Sequence, residues 1–174
     1  MEIVDLSVLI DDNTKPYEGD PNIEIIRSLN DDGYNLSRVN TTMHNGTHID
    51  IKKHMFEGKD ICDYDLKNFI LDAVISKNID KFSDAIVIPM KDNLTIEEAI
   101  TIVKNNVRMV IIDRDSPDDY PFDVHKYLLK NDIIIVENAC NLDKIKEWDK
   151  FIVIALPLKI RAEASLTRLI AIKK

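Results

Sequence analysis

The stretch His44-Asn45-Gly46-Thr47-His48-Ile49-Asp50-Ile51-Lys52-Lys53-His54 decides how this chain is read. It holds three of the four histidines of the chain, with an aspartate among them. Imidazole and carboxylate together are the usual ligands of zinc and related divalent ions. On an extended strand, residues two apart share a face, so His44, Gly46, His48 and Asp50 would all point one way. A helix would align His44 with His48 but carry Asp50 toward the opposite side. Gly46, Thr47, Ile49 and Ile51 favour the strand. The pattern predicts a strand with three ligand-type side chains on one face; the bland alternative is an incidental polar cluster.

Toward the N-terminus, segment 2–10 reads as a strand, followed by a polar loop through Tyr17-Glu18-Gly19-Asp20-Pro21, rich in turn formers. Segment 22–29 reads as a second strand, Asp31-Asp32-Gly33 as a hairpin turn, and Tyr34 to Thr42 as a third strand entering the histidine stretch. Toward the C-terminus, 70–76 and 84–88 are short apolar strands. Thr95 with Glu98 is a capping box opening a helix to about Asn105, with Ile96, Ala99, Ile100 and Val103 on one face. Val107 to Asp113 and Ile133 to Val136 are buried strands, separated by a helix that Asp123 caps and that runs to Lys130. Segment 141–147 reads as helical, and 151–156 and 169–172 close the sheet. The order predicts a mixed α/β fold, a mixed sheet with few helices, as one domain over residues 1–174.

The 174 residues suit one domain with a sizeable core. A net charge of −8 without a basic stripe argues against a nucleic-acid partner. The N-terminal residues lack a basic region followed by an apolar run, and no apolar stretch approaches the roughly 18–20 residues of a membrane span. Two cysteines, Cys62 and Cys140, make neither a disulfide framework nor a metal motif. These features predict a cytoplasmic protein with reduced thiols and neither a membrane nor a nucleic-acid partner.

The fourth histidine, His125, belongs to the second helix, and Glu137 ends the strand that follows. An eight-residue helix rises roughly 12 Å and a five-residue strand spans about 16 Å, so a helix start and a returning strand end can meet. Ligand sites of open α/β sheets gather at such carboxyl ends. His125 and Glu137 thus form a second imidazole–carboxylate pair, enough for a second metal ion.

The block His44-x-Gly46-Thr47-His48-x-Asp50-x-x-x-His54 resembles the signature of the cyclase family, which includes kynurenine formamidase. Asp5-Leu6-Ser7, Tyr17-x-Gly19-Asp20-Pro21, Ile112-Asp113-x-Asp115-Ser116-Pro117-Asp118 and His125 with Glu137-Asn138-x-x-Asn141-Leu142 are similar to further family segments. So are Leu156 to Ile160 and Arg168 to Ile172. The resemblance implies a swivelling β/β/α domain that assembles as a homo-oligomer, a dimer or a tetramer. It implies that His44, His48 and Asp50 bind one divalent ion, and that Asp50 bridges to a second held by His125 and Glu137. It implies that His54 is the catalytic acid/base. Zinc is the expected metal, and the ligand chemistry also suits manganese or iron.

Three departures stand out. Lys52 replaces a usual proline, leaving the turn before His54 less constrained. Tyr17, the expected substrate-binding aromatic, stands where kynurenine formamidases commonly have tryptophan. The chain is also shorter than typical members between Glu97 and Val110. The expected activity is hydrolysis of a small-molecule substrate, an aryl formamide or related amide, by metal-activated water, with His54 protonating the departing nitrogen. The alternatives are a hydrolase of a cyclic amide or lactone, and a non-catalytic metal-binding relative.

Overall fold

Val110 and Ile112 point to one side of their strand and Met109 and Ile111 to the other, yet all four are buried. A strand covered on both faces carries such an unbroken apolar run, and this chain builds two hydrophobic layers around one sheet. The computed structural model describes residues 1–29 and 32–173. In chain order the elements are β1 Glu2–Asp5, β2 Glu24–Leu29, β3 Asn35–Asn40, β4 His48–Asp50, β5 Ile70–Ile75, β6 Ala85–Ile88, α1 Ile96–Lys104, β7 Met109–Ile112, α2 Asp123–Lys130, β8 Ile134–Glu137, β9 Phe151–Pro157 and β10 Ala164–Lys173. Short 3-10 turns include Lys52–His54 and Leu142–Ile145.

The main sheet runs β1-β10-β4-β8-β7-β6-β5-β9, and β9 pairs again with β10. Seven strands therefore close into a barrel, with β1 attached outside on β10. Pairing is parallel from β5 through β6 and β7 to β8 and antiparallel elsewhere in the ring. Ile49, Val87, Met109, Ile111, Val136 and Leu169 fill the interior. On the outside, Ile86, Val110 and Ile135 pack against Ala99 and Ile102 of α1 and Leu128 and Leu129 of α2. The mixed α/β architecture with few helices agrees with the sequence reading. Among the described residues, no helix is long and apolar enough to cross a membrane.

Several boundaries differ from expectation. The first strand stops at Asp5, after which Ser7 makes an isolated bridge to Ala139 and its hydroxyl hydrogen-bonds Leu169. The last strand begins at Ala164, five residues before the apolar run at Leu169. On α1 the capping box forms as expected, but Ile102 rather than Ile100 is buried with Ala99. Of segment 141–147, Leu142–Ile145 is helical, as a 3-10 turn. β2 and β3 pair as a separate antiparallel ribbon. Of the turn expected at Asp31-Asp32-Gly33, Asp31 lies outside the described residues.

Candidate metal centre

β4 is only three residues long and wedged between β8 and β10. Strand alternation sends Ile49 into the barrel, where it is fully buried, and sends His48 and Asp50 outward. The register pairs His48 with Glu137 across the β4–β8 ladder and Asp50 with Ala164 across the β4–β10 ladder. Directly opposed residues share a face, so Glu137 joins His48 on the outer side. The strand does not extend back to His44, which lies in the turn that precedes it. That turn needs Gly46: its φ is +67°, and a Cβ there would approach Ile10 Cγ1 to 2.9 Å. The turn, not alternation, swings His44 onto the site.

Main-chain and hydroxyl contacts fix this corner. His48 Nδ1 lies 2.9 Å from the Gly46 carbonyl, which keeps a proton on Nδ1 and makes Nε2 the nitrogen that would meet a cation once its own proton leaves. Thr47 Oγ1 donates to the Asn138 carbonyl at 2.7 Å and accepts from the Val8 amide at 2.9 Å. Asn138 Nδ2 donates to the Gly46 carbonyl. Thr47 thus ties three segments around the two neighbouring imidazoles.

His125 comes from the first turn of α2. The residue at the cap position, Phe122, has left-handed backbone and makes no side-chain cap. Asp123, expected as the cap, is the first helical residue. Asp118 does the capping instead: Oδ2 accepts from Val124 N at 2.8 Å and Oδ1 from His125 N at 3.1 Å. This buried carboxylate sets the angle at which His125 leaves the helix.

The two distant stretches converge. His125 Nε2 is 3.2 Å from Asp50 Oδ2, His44 Nδ1 is 3.1 Å from Asp50 Oδ1, and His48 Nε2 is 3.3 Å from Glu137 Oε2. Despite these distances, His48 Nε2, both Asp50 oxygens, His125 Nε2 and Glu137 Oε1 are buried and have no hydrogen-bond partner among the described residues. Buried polar atoms are ordinarily paired. Lone pairs that crowd together without bonding one another are aimed at something between them, and nitrogen and carboxylate oxygen donors suit divalent cations. Donor atoms of His44, His48 and Asp50 lie within 4.8 Å of one another, as do those of Asp50, His54 and His125. Asp50 belongs to both groups. The residues fit a metal centre.

The electrostatics are those of stacked acids and bases. Burial opposes charge on His48, yet Glu137 and Asp50 outweigh it and push its pKa up to about 9. His44 and His125 are also raised, burial again being overcome, chiefly by Asp50. Asp50 is held far below the usual carboxylate range, its burial outweighed by His125 and His44. Burial pushes Glu137 up, against its contact with His48. His54 goes the other way: burial lowers it, and His44 and His125 lower it further against the pull of Asp50.

His54 ends the Lys52–His54 turn, whose backbone closes without the proline through His54 N to Ile51 O at 2.8 Å and Phe56 N to Lys52 O at 2.9 Å. Its Nε2 lies 3.9 Å from Asp50 Oδ2, and its ring is 4.4 Å from that of His44. A cavity of about 190 Å³ opens over these groups, walled by Tyr17, Met55, Phe122 and Ser116. All seven residues singled out in the sequence, from Tyr17 to Glu137, line it. Sequence reasoning missed the capping role of Asp118 and did not find Glu163, whose carboxylate lies 3.4 Å from His44. The first stands five residues before the expected cap, Asp123; the second has no periodic signal.

The sequence and the fold both have known relatives. The Cyclase family model matches residues 4–120. An uncharacterized protein of Methanocaldococcus jannaschii is 31% identical over 199 aligned positions, which cover 99% of this chain and all of that protein. An isatin hydrolase bound to the product analogue thioisatinate superposes with a TM-score of 0.84 at 18% identity, covering 99% of this chain and 92% of that one. A predicted metal-dependent hydrolase from Bacillus stearothermophilus gives 0.77 at 18% identity, covering 98% and 97%.

Proposed function

This chain belongs to the cyclase family, and from that premise we propose that it is a metal-dependent hydrolase of a compact aryl amide, either a formamide or an amide closed into a ring. The carrying observation is the set of buried, unpartnered donor atoms on His48, Asp50, His125 and Glu137 beside an open cavity. In this reading His44, His48 and Asp50 hold one divalent ion, and Asp50, His125 and Glu137 a second, zinc before manganese. When bound, such ions supply Lewis acidity that eases deprotonation of water and polarises a carbonyl.

The chain supplies the rest. His54, its pKa lowered by burial and by its neighbours, is neutral at neutral pH and can accept a proton. It takes the proton of the attacking water as the C–O bond forms, and gives it to the departing nitrogen as the C–N bond breaks. The products are an amine and a carboxylic acid, which releases its proton to solvent at neutral pH. Tyr17, Met55 and Phe122 present flat or soft apolar surface to an aromatic ring. The cavity lies below the roughly 300–1,000 Å³ of sites for drug-sized ligands, which favours a small substrate. The isatin hydrolase likeness supports an amide as the bond cleaved.

One observation favours a second role for His54. It shares a donor cluster with Asp50 and His125, so it could complete the ligands of the second ion. We also read the chain as a homo-oligomer, because the β2–β3 ribbon has exposed residues throughout β3 and an isolated two-stranded ribbon is marginal in water.

The test is metal analysis of purified protein, then hydrolysis of N-formylkynurenine, isatin and a lactone with and without chelator. Chelator-sensitive cleavage of an amide is expected. Metal-replete protein inert toward every amide tested would remove the hydrolase reading. His54→Ala should keep two ions and lose turnover; loss of one ion would favour the ligand role.

A further inference from the structure

The ring of His44 is approached from two sides. Nδ1 faces Asp50 at 3.1 Å, while Nε2 faces Glu163 Oε1 at 3.4 Å. An imidazole that offers Nδ1 to a cation carries its proton on Nε2. An acceptor beside Nε2 fixes that tautomer, holds the ring plane and raises the basicity of the ligating nitrogen. For His48 the acceptor is main chain, the Gly46 carbonyl. For His44 the carboxylate of Glu163 stands in that place, at 3.4 Å.

The fold sets Glu163 in place. It immediately precedes β10, whose first residue, the fully buried Ala164, is paired with Asp50. On its other side the Ala162 carbonyl accepts from Ile61 N at 3.0 Å. The backbone is therefore pinned on both flanks, one position beyond the ladder pair that contains Asp50. The carboxylate makes no second ion pair among the described residues, so its reach toward His44 is uncontested.

We propose that Glu163 is a positioning residue of the metal centre, orienting His44 and holding the tautomer that presents Nδ1 to the ion shared with His48 and Asp50. The inference rests on the metal-centre reading above and adds to it a residue outside the ligand set. Two divalent cations would face two ligand carboxylates, and Glu163 brings the centre closer to neutrality. The two imidazoles differ in one respect that an experiment can use. The acceptor of His48 is a backbone carbonyl that no side-chain truncation removes, whereas the carboxylate beside His44 can be deleted.

The experiment compares wild type, Glu163→Ala and Glu163→Gln in the full chain, titrated with Zn²⁺ or Co²⁺ against a chromophoric chelator. The visible bands of the Co²⁺ form give a second readout. Glu163→Ala should weaken one of the ions by about 10–100-fold, with altered Co²⁺ bands. Glu163→Gln, which keeps the shape and an acceptor oxygen, should show a smaller loss in the same direction. Activity lost at limiting metal should return with excess metal, which a general folding defect would not allow. Unchanged affinity and unchanged bands in both variants overturn the proposal. If Glu163→Ala does not fold, Glu163→Gln decides by the same two readouts. A wild type that takes up no metal overturns the metal-centre reading itself, an outcome distinct from normal uptake by all three proteins.

Discussion

Two extended regions of this molecule have opposite fates. The β2–β3 ribbon pairs six residues with six, yet Leu36 and Val39 stay more than half exposed. β4 has three residues, all buried, and its outward side chains belong to the candidate centre. Regularity and length do not decide which strand carries chemistry. What decides is covering: β4 has a hydrogen-bonded neighbour on each edge, barrel core beneath Ile49 and α2 over its outer face. Only such enclosure lets carboxylates and imidazoles keep unpaired lone pairs in a fixed array.

The sharpest way to break this comparison is Asp50→Ala. Asp50 faces His44, His48 and His125 at once, so both ions should be lost and hydrolysis should fall to the level of chelator-treated protein. Metal analysis beside activity checks it; an active, metal-loaded variant would deny Asp50 its central place.

A pH series tests the same enclosure. The folded pKa of His48 is raised to about 9, above its unfolded value near 6.5, so its ion pairs stabilise the metal-free protein fully below that value. That stabilisation is lost as pH rises through 9. Metal must also displace the proton, so affinity should climb about tenfold per unit over this window for each proton released. Melting temperatures of metal-free and loaded protein should therefore diverge from pH 6.5 to 9, and calorimetry in two buffers should register proton release.

A smaller effect is expected at Asp118. Asp118→Ala removes the cap of α2 and should cost about 0.5–2 kcal/mol in urea unfolding, with weaker metal binding because His125 loses its anchor. Asp118→Asn should recover most of the stability. The smallest effect belongs to the ribbon. Val39→Thr should change stability by no more than about 0.5 kcal/mol in dilute protein. A larger, concentration-dependent loss in sedimentation and melting would show that another copy covers it.

Much of the centre was legible because alternation is local. His48 and Asp50 share one face of their strand, as alternation predicts, and the lengths of α2 and β8 are enough to bring His125 toward Glu137. The family resemblance pointed to the same residues. His44 was placed on a strand because Gly46 fits alternation equally well; its left-handed backbone instead marks a turn. Asp118 escaped because cap signals are sought beside the helix start, and here Phe122 occupies that position in left-handed backbone. Glu163 escaped because its partner is fixed by the β4–β10 register, a long-range pairing that no short window of residues contains.

That pairing also ties the centre to closure of the barrel. β4 lies early in the chain, but one of its two flanking strands is β10, the last of the ten in chain order. Until residues 164–173 pair with it, the strand that carries His48 and Asp50 is half bare. In the metal-centre reading a cation would be gripped only once this long-range pairing has formed, so uptake of metal should follow closure of the barrel rather than nucleate it.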